Sequence, residues 1–142
     1  EDGFVDLMNA YAESLGMKNT SFKNSTGLPD SDHFSSAKDL ANLTSNYINK
    51  FPDEYALYKE KQFTFNNIKQ LNRNKLLWRD ESADGVKTGH TSSAGYCLVG
   101  SAQRGGMRLI TVVAGSKSDK VGSLIPQGFL DLGLDSLQLK KA

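Results

Sequence analysis

The apolar positions near the start of the chain recur with the period of a helix. Phe4, Leu7, Met8, Tyr11 and Leu15 fall at i, i+3, i+4, i+7 and i+11, so they predict one helix with one buried face, and Gly16 is placed to end it. A polar stretch from 18 to 34, carrying Gly27 and Pro29, predicts a long surface loop. Ser36 then suits an N-cap and Asp39 the first turn of a second helix, with Leu40, Leu43, Tyr47 and Ile48 as its buried stripe. Pro52, followed by Asp53 and Glu54, reads as the first turn of a short third helix ending near Lys61.

The pattern changes after that. Residues 62 to 66 alternate enough for a short strand, and Asn66-Asn67 reads as a turn. Residues 73 to 78 suggest a turn plus a short extended segment. Residues 85 to 91 predict a strand. Residues 95 to 103 and 107 to 115 predict two more strands, which the Arg104-Gly105-Gly106 turn folds into an antiparallel hairpin. Leu124, Phe129, Leu130, Leu132, Leu134, Leu137 and Leu139 predict a terminal helix packed on the sheet, with Pro126 early in it; Gly128 and Gly133 count against it. Cys97 is expected to be buried as a small apolar residue, and Trp78 and Tyr96 to pack near the sheet. The fold class is α+β: helices flanking a small antiparallel sheet.

Composition narrows the function classes. A chain that is 38% hydrophobic and 23% charged is globular in character, and a net charge of +1 spread along the sequence supplies no concentrated basic face for nucleic acid. No apolar run approaches the roughly 20 residues that span a bilayer. The single cysteine forms no internal disulfide, and no His or Cys cluster has metal-ligand spacing, so neither metal nor other cofactor is expected. The chain opens on Glu1 and contains no signal-peptide pattern.

One triplet carries chemistry. On a strand at a sheet edge, Lys87 offers a positive charge to a ligand carboxylate, and Thr88 can hydrogen-bond the same group. Gly89 lets a ligand backbone approach closely, and the next backbone N–H can face an oxyanion. Taken as three letters alone, a lysine in solvent ahead of a strand glycine is the better explanation.

The longer run Asp84-Gly85-Val86-Lys87-Thr88-Gly89-His90-Thr91-Ser92-Ser93-Ala94-Gly95-Tyr96 is similar to the third box of the serine-type D-alanyl-D-alanine carboxypeptidases, the low-molecular-mass penicillin-binding proteins of peptidase family S11. Leu15-Gly16-Met17-Lys18-Asn19-Thr20, Gly27-Leu28-Pro29 and His33-Phe34-Ser35-Ser36-Ala37-Lys38-Asp39-Leu40-Ala41 resemble the segment between the family's second and third boxes. Gln70-Leu71-Asn72-Arg73-Asn74-Lys75-Leu76-Leu77-Trp78 resembles the segment ahead of the third. The likeness runs in order from residue 4 to about 121. It implies that residues 1–142 are the C-terminal portion of one transpeptidase-like domain, incomplete at the N-terminal side.

The resemblance implies catalytic-box roles for Lys87, Thr88 and Gly89. It also implies substrate-binding roles for Lys87, Thr88, His90 and Thr91, with Arg73 beside them. Its other implications are a site outside the cytoplasm, peptidoglycan stem peptides and β-lactams as partners, and an acyl-serine route. The serine and its lysine base belong to a Ser-x-x-Lys box, followed by a Ser-x-Asn box. This chain has no Ser-x-Asn, and its one Ser-x-x-Lys match, Ser35 to Lys38, falls where the resemblance places a helix start. The expected partner is therefore the N-terminal half of the same domain, and the chain alone is expected to be inactive. The family usually carries an arginine at the start of its last helix; here that position is Gly122, with Lys117 and Lys120 as candidate replacements. Two other readings stay open: a non-catalytic module binding peptidoglycan peptides, and an incomplete domain whose sheet edges self-associate.

Overall fold

The computed structural model describes residues 1–135 of the 142. Five α-helices and five strands run in the order α1 (Asp2–Ser14), α2 (Ala37–Lys50), α3 (Pro52–Tyr55), β1 (Gln62–Phe65), β2 (Ile68–Leu71), α4 (Leu76–Arg79), β3 (Ala83–Thr91), β4 (Gly95–Arg104), β5 (Met107–Ser116) and α5 (Asp119–Asp135). A 3-10 turn, Ala56–Lys59, extends α3. The main sheet is antiparallel, in the order β3-β4-β5; β1 and β2 form a separate hairpin. This is the α+β arrangement that the pattern predicts.

Register sets what each face of the sheet carries. Ala102 pairs with Leu109 and Gly100 with Thr111, and this face packs on α4 and α5. The core there joins Leu76, Leu77, Ala83, Ala102 and Leu130, with Met107 and Leu109 packed against it. Pro126 lies well inside α5 rather than early in it, and its side chain is fully buried. Bare backbone at Gly100 makes room, since a Cβ there would meet Thr111 Oγ1 at 2.9 Å and Leu76 Cδ2 at 3.0 Å. Packing outweighs the missing amide bond and the propensity cost of Gly128 and Gly133. Leu137 and Leu139 lie outside the described residues.

The opposite face carries a polar network instead. The Tyr55 hydroxyl donates to Asp84 Oδ1 (2.8 Å), and Arg108 donates to both Asp84 oxygens (2.8 and 2.7 Å) and to Ser101 Oγ (2.6 Å). Burial, and then the bond to Asp84, hold the Tyr55 phenol above its ordinary range. Gly85 is required here, because a Cβ would stand 2.6 Å from the Tyr55 hydroxyl oxygen.

Three expectations are corrected. The apolar stripe of α1 is not buried: Phe4, Leu7 and Tyr11 are exposed, while Val5 and Ala12 are buried. Helical period locates an apolar face but not what covers it. A polar residue docks the helix, because the Asn9 amide donates to Phe22 O (2.9 Å) and accepts from Phe22 N (2.8 Å). Residues 76 to 79 are helix α4, not extended, and Trp78 on it is 47% exposed. Cys97 is only partly buried. Strand β2 has no signature in the sequence, because Ile68-Lys69-Gln70-Leu71 does not alternate and all four residues are exposed. The β1–β2 turn does follow the sequence: Asn66 and Asn67 both adopt positive φ, 50° and 61°, as a two-residue hairpin turn asks. Ser36 caps α2 as expected, its side chain accepting from Asp39 N.

Candidate functional site

Strand β3 lies at an edge of the sheet. On its outer side alternate residues aim their N–H and C=O groups away from β4, into a cleft of about 770 Å³. All six residues expected at the site line this cleft: Arg73, Lys87, Thr88, Gly89, His90 and Thr91. Arg73 and Lys87 are exposed, so their charges face solvent and an incoming ligand. The Lys87 ammonium folds back on the Thr88 carbonyl oxygen.

Each position has a local cause. Arg73 sits between two asparagines that fix its loop. Asn72 donates to Glu60 O (3.0 Å) and accepts from Asn74 N (2.9 Å). Asn74, 1% exposed, donates to Gly85 O (3.0 Å) and accepts from Leu76 N (3.2 Å). One buried amide therefore ties the arginine loop, the start of α4 and the lysine strand together.

Gly89 differs from Gly85. A Cβ at Gly89 would meet nothing closer than Cys97 Cβ at 3.9 Å, and its φ is ordinary. No contact within the chain requires glycine there, so the space it leaves belongs to the cleft. The His90 ring packs on Tyr96, its cross-strand partner, tilted by 31° with centroids 4.0 Å apart. Thr91 Oγ1 accepts from Ala94 N (2.9 Å) and so ties down the β3–β4 turn.

The cleft also gathers Gly122, the position at which the resemblance puts the family arginine, and residues that the sequence reading did not single out for the site: Lys75, Asp119, Thr26, Gly27 and Cys97. Lys75 and Asp119 form an ion pair. Neither Lys117 nor Lys120, the candidate replacements at the start of the last helix, lines the cleft. The signal for Lys75 was its place next to Arg73-Asn74; the signal for Asp119 was its place at a helix start. Their meeting depends on how α5 packs, which no local pattern encodes. Among the charged residues lining the cleft, Arg73, Lys75 and Lys87 face one carboxylate, Asp119, so the cleft favours an anionic ligand.

Ser35 and Lys38 do not line it. Ser35 lies ahead of α2 and its hydroxyl pairs with Thr20 Oγ1 (2.9 Å), so serine and lysine do not share a helix face. Among the described residues no group of His, Cys, Asp and Glu could hold a metal ion, and no helix is long and apolar enough to cross a membrane.

Helices flanking a small antiparallel sheet in this order are the fold of the penicillin-binding peptidases. Residues 1–118 match peptidase family S11, D-alanyl-D-alanine carboxypeptidase, and the chain belongs to that family. It is 52% identical over 121 residues to the D-alanyl-D-alanine carboxypeptidase DacA of Escherichia coli, covering 84% of this chain and 30% of that protein. To DacF of Bacillus subtilis it is 43% identical over 125 residues, covering 84% and 32%. Penicillin binding protein 5 from Haemophilus influenzae superposes with a TM-score of 0.89 at 47% identity, over 93% of this chain and 39% of that one. Penicillin-binding protein D2 from Listeria monocytogenes, in its ampicillin-bound form, gives 0.85 at 32% identity, over 92% and 55%. The chain thus spans about 30% of the length of the Escherichia coli relatives it matches.

Proposed function

We propose that this chain supplies the Lys-Thr-Gly wall of a D-Ala-D-Ala carboxypeptidase site, which trims the terminal D-alanine of peptidoglycan stem peptides. The observation that carries the reading is the convergence of Arg73, Lys87, Thr88, Gly89, His90 and Thr91 on one cleft along an edge strand. An extended peptide can lie along such an edge as an added strand, its backbone pairing with β3 and its carboxylate meeting the cations. Gly89 gives the peptide room, and the backbone N–H beyond it can face the oxyanion that forms during acyl transfer.

In this reading the acylated serine and its lysine base come from Ser-x-x-Lys and Ser-x-Asn boxes outside these residues. This chain binds and polarises, and it does not form the acyl bond by itself. β-lactams, which the Listeria relative holds in its ampicillin-bound form, bind the same wall as substrate mimics. A peptidoglycan substrate places the site on the outer side of the cytoplasmic membrane.

The test is a fluorescent penicillin. The chain is mixed with a segment of a relative that carries the two missing boxes. Expected is acylation of that segment only when both pieces are present, lost with Lys87→Ala. Covalent label on this chain alone, or labelling indifferent to Lys87, would contradict the reading.

A further inference from the structure

We propose that Lys75 is a further carboxylate-reading cation of this cleft, lent out by Asp119 when a ligand arrives. The proposal rests on the functional reading above and names a specificity determinant that the Lys-Thr-Gly strand does not contain. Lys75 immediately precedes α4, and Asp119 is the first residue of α5, so their ion pair joins the starts of two helices in the lining of the cleft. Both side chains are about half exposed, 53% and 45%, so a ligand can reach the pair.

Three features make exchange of one carboxylate for another inexpensive. Asp119 stands in the first turn of a 17-residue helix, where unpaired backbone N–H groups stabilise a carboxylate whether or not Lys75 stays. Gly122 lies three residues further on, on the same side of that helix, and lines the cleft with bare backbone. A Cβ there would make only ordinary contacts, with Ser116 Cβ at 3.4 Å and Tyr96 Cβ at 3.5 Å, so what glycine leaves out is a longer side chain that could compete with Lys75 for the ligand. The third feature is that a half-exposed pair is weak, so a bound carboxylate can displace Asp119. The swap keeps the charge balance: Lys75 passes from one carboxylate to another.

The experiment measures binding of two N-acetylated ligands by the full chain: the dipeptide D-alanyl-D-alanine and the same dipeptide as its C-terminal carboxamide. Lys75→Met is expected to weaken the acid about fivefold, the size of one exposed ion pair, and to leave the amide unchanged. Asp119→Asn is expected to strengthen the acid by a similar factor, again without effect on the amide. Unchanged amide binding shows that the variants are folded. If Lys87→Met weakens binding while Lys75→Met and Asp119→Asn match the parent for both ligands, the inference is overturned and the functional reading stands. If the parent binds neither ligand at millimolar concentration, both fall.

Discussion

Replacing Asn74 with alanine should loosen both walls of the cleft at once. The side chain is 1% exposed, donates to Gly85 O and accepts from Leu76 N. Alanine leaves a buried carbonyl and a buried N–H without partners, each costing about 1–3 kcal/mol, so the loss centres near about 3 kcal/mol once some water enters. For a chain of this size about 2–4 °C is lost per kcal/mol, which gives a fall in melting temperature of roughly 6–12 °C. Asn49→Ala is the control: its amide bonds the Ser45 carbonyl on an exposed helix face, and its loss should cost less than about 0.5 kcal/mol. Asn74→Asp separates hydrogen bonding from volume. Its carboxylate would face the Gly85 carbonyl, and only the protonated acid can donate there. Burial and the facing carbonyl hold that acid above its ordinary range in the folded chain, so the deficit relative to the parent should shrink as pH falls from neutral toward about 4, where the unfolded acid also takes up its proton. Thermal melts followed by near-ultraviolet circular dichroism are the assay. A fall of less than about 2 °C for Asn74→Ala, or an Asn74→Asp deficit flat with pH, would refute the reasoning.

Other outcomes follow from the network and the acid pairs. Gly85→Ala forces the Tyr55 hydroxyl out of its place beside Asp84 and should cost about 1–3 kcal/mol by urea denaturation, whereas Gly89→Ala should leave stability nearly unchanged while weakening ligand binding. The Tyr55 phenol is held above its ordinary range by burial first and by Asp84 next; a raised folded value means stability present below about pH 10 and lost as pH climbs further. Tyr55→Phe should flatten that alkaline limb in a pH series of melts. Burial pushes the Asp80 carboxyl up, but its bonds from Ser82 and Arg104 outweigh burial and hold it low. That stability is present above about pH 4 and lost as pH falls, so Asp80→Asn should reduce the acid slope.

The sequence made some of this legible, and the rest has physical reasons for being hidden. The β4–β5 hairpin was readable because the Gly105-Gly106 turn and two strongly apolar strands agree, and the turn glycines do adopt positive φ, 55° and 83°. The caps of α1 and α2 were readable because capping is local chemistry. The Lys-Thr-Gly strand was readable through its family resemblance, and the structure brings every expected site residue to one cleft. Helix α4 was not readable: at four residues it has no period, and it exists because Leu76 and Leu77 fill the core beneath α5. The buried side of α1 is not legible from its apolar period, because Val5 and Ala12, which are outside that stripe, are the buried residues and Asn9 adds a polar tie to Phe22. Lys75 and Asp119 lie 44 residues apart, and only tertiary packing makes them a pair.

The central claim is that the outer edge of β3 is where a peptide carboxylate binds. The most direct measurement is an amide NMR titration of the chain with N-acetylated D-alanyl-D-alanine. The account predicts shifts concentrated at residues 87 to 91 and at Arg73, and affinity at least about tenfold weaker in Lys87→Met. Shifts centred elsewhere, or an affinity indifferent to Lys87, would contradict it.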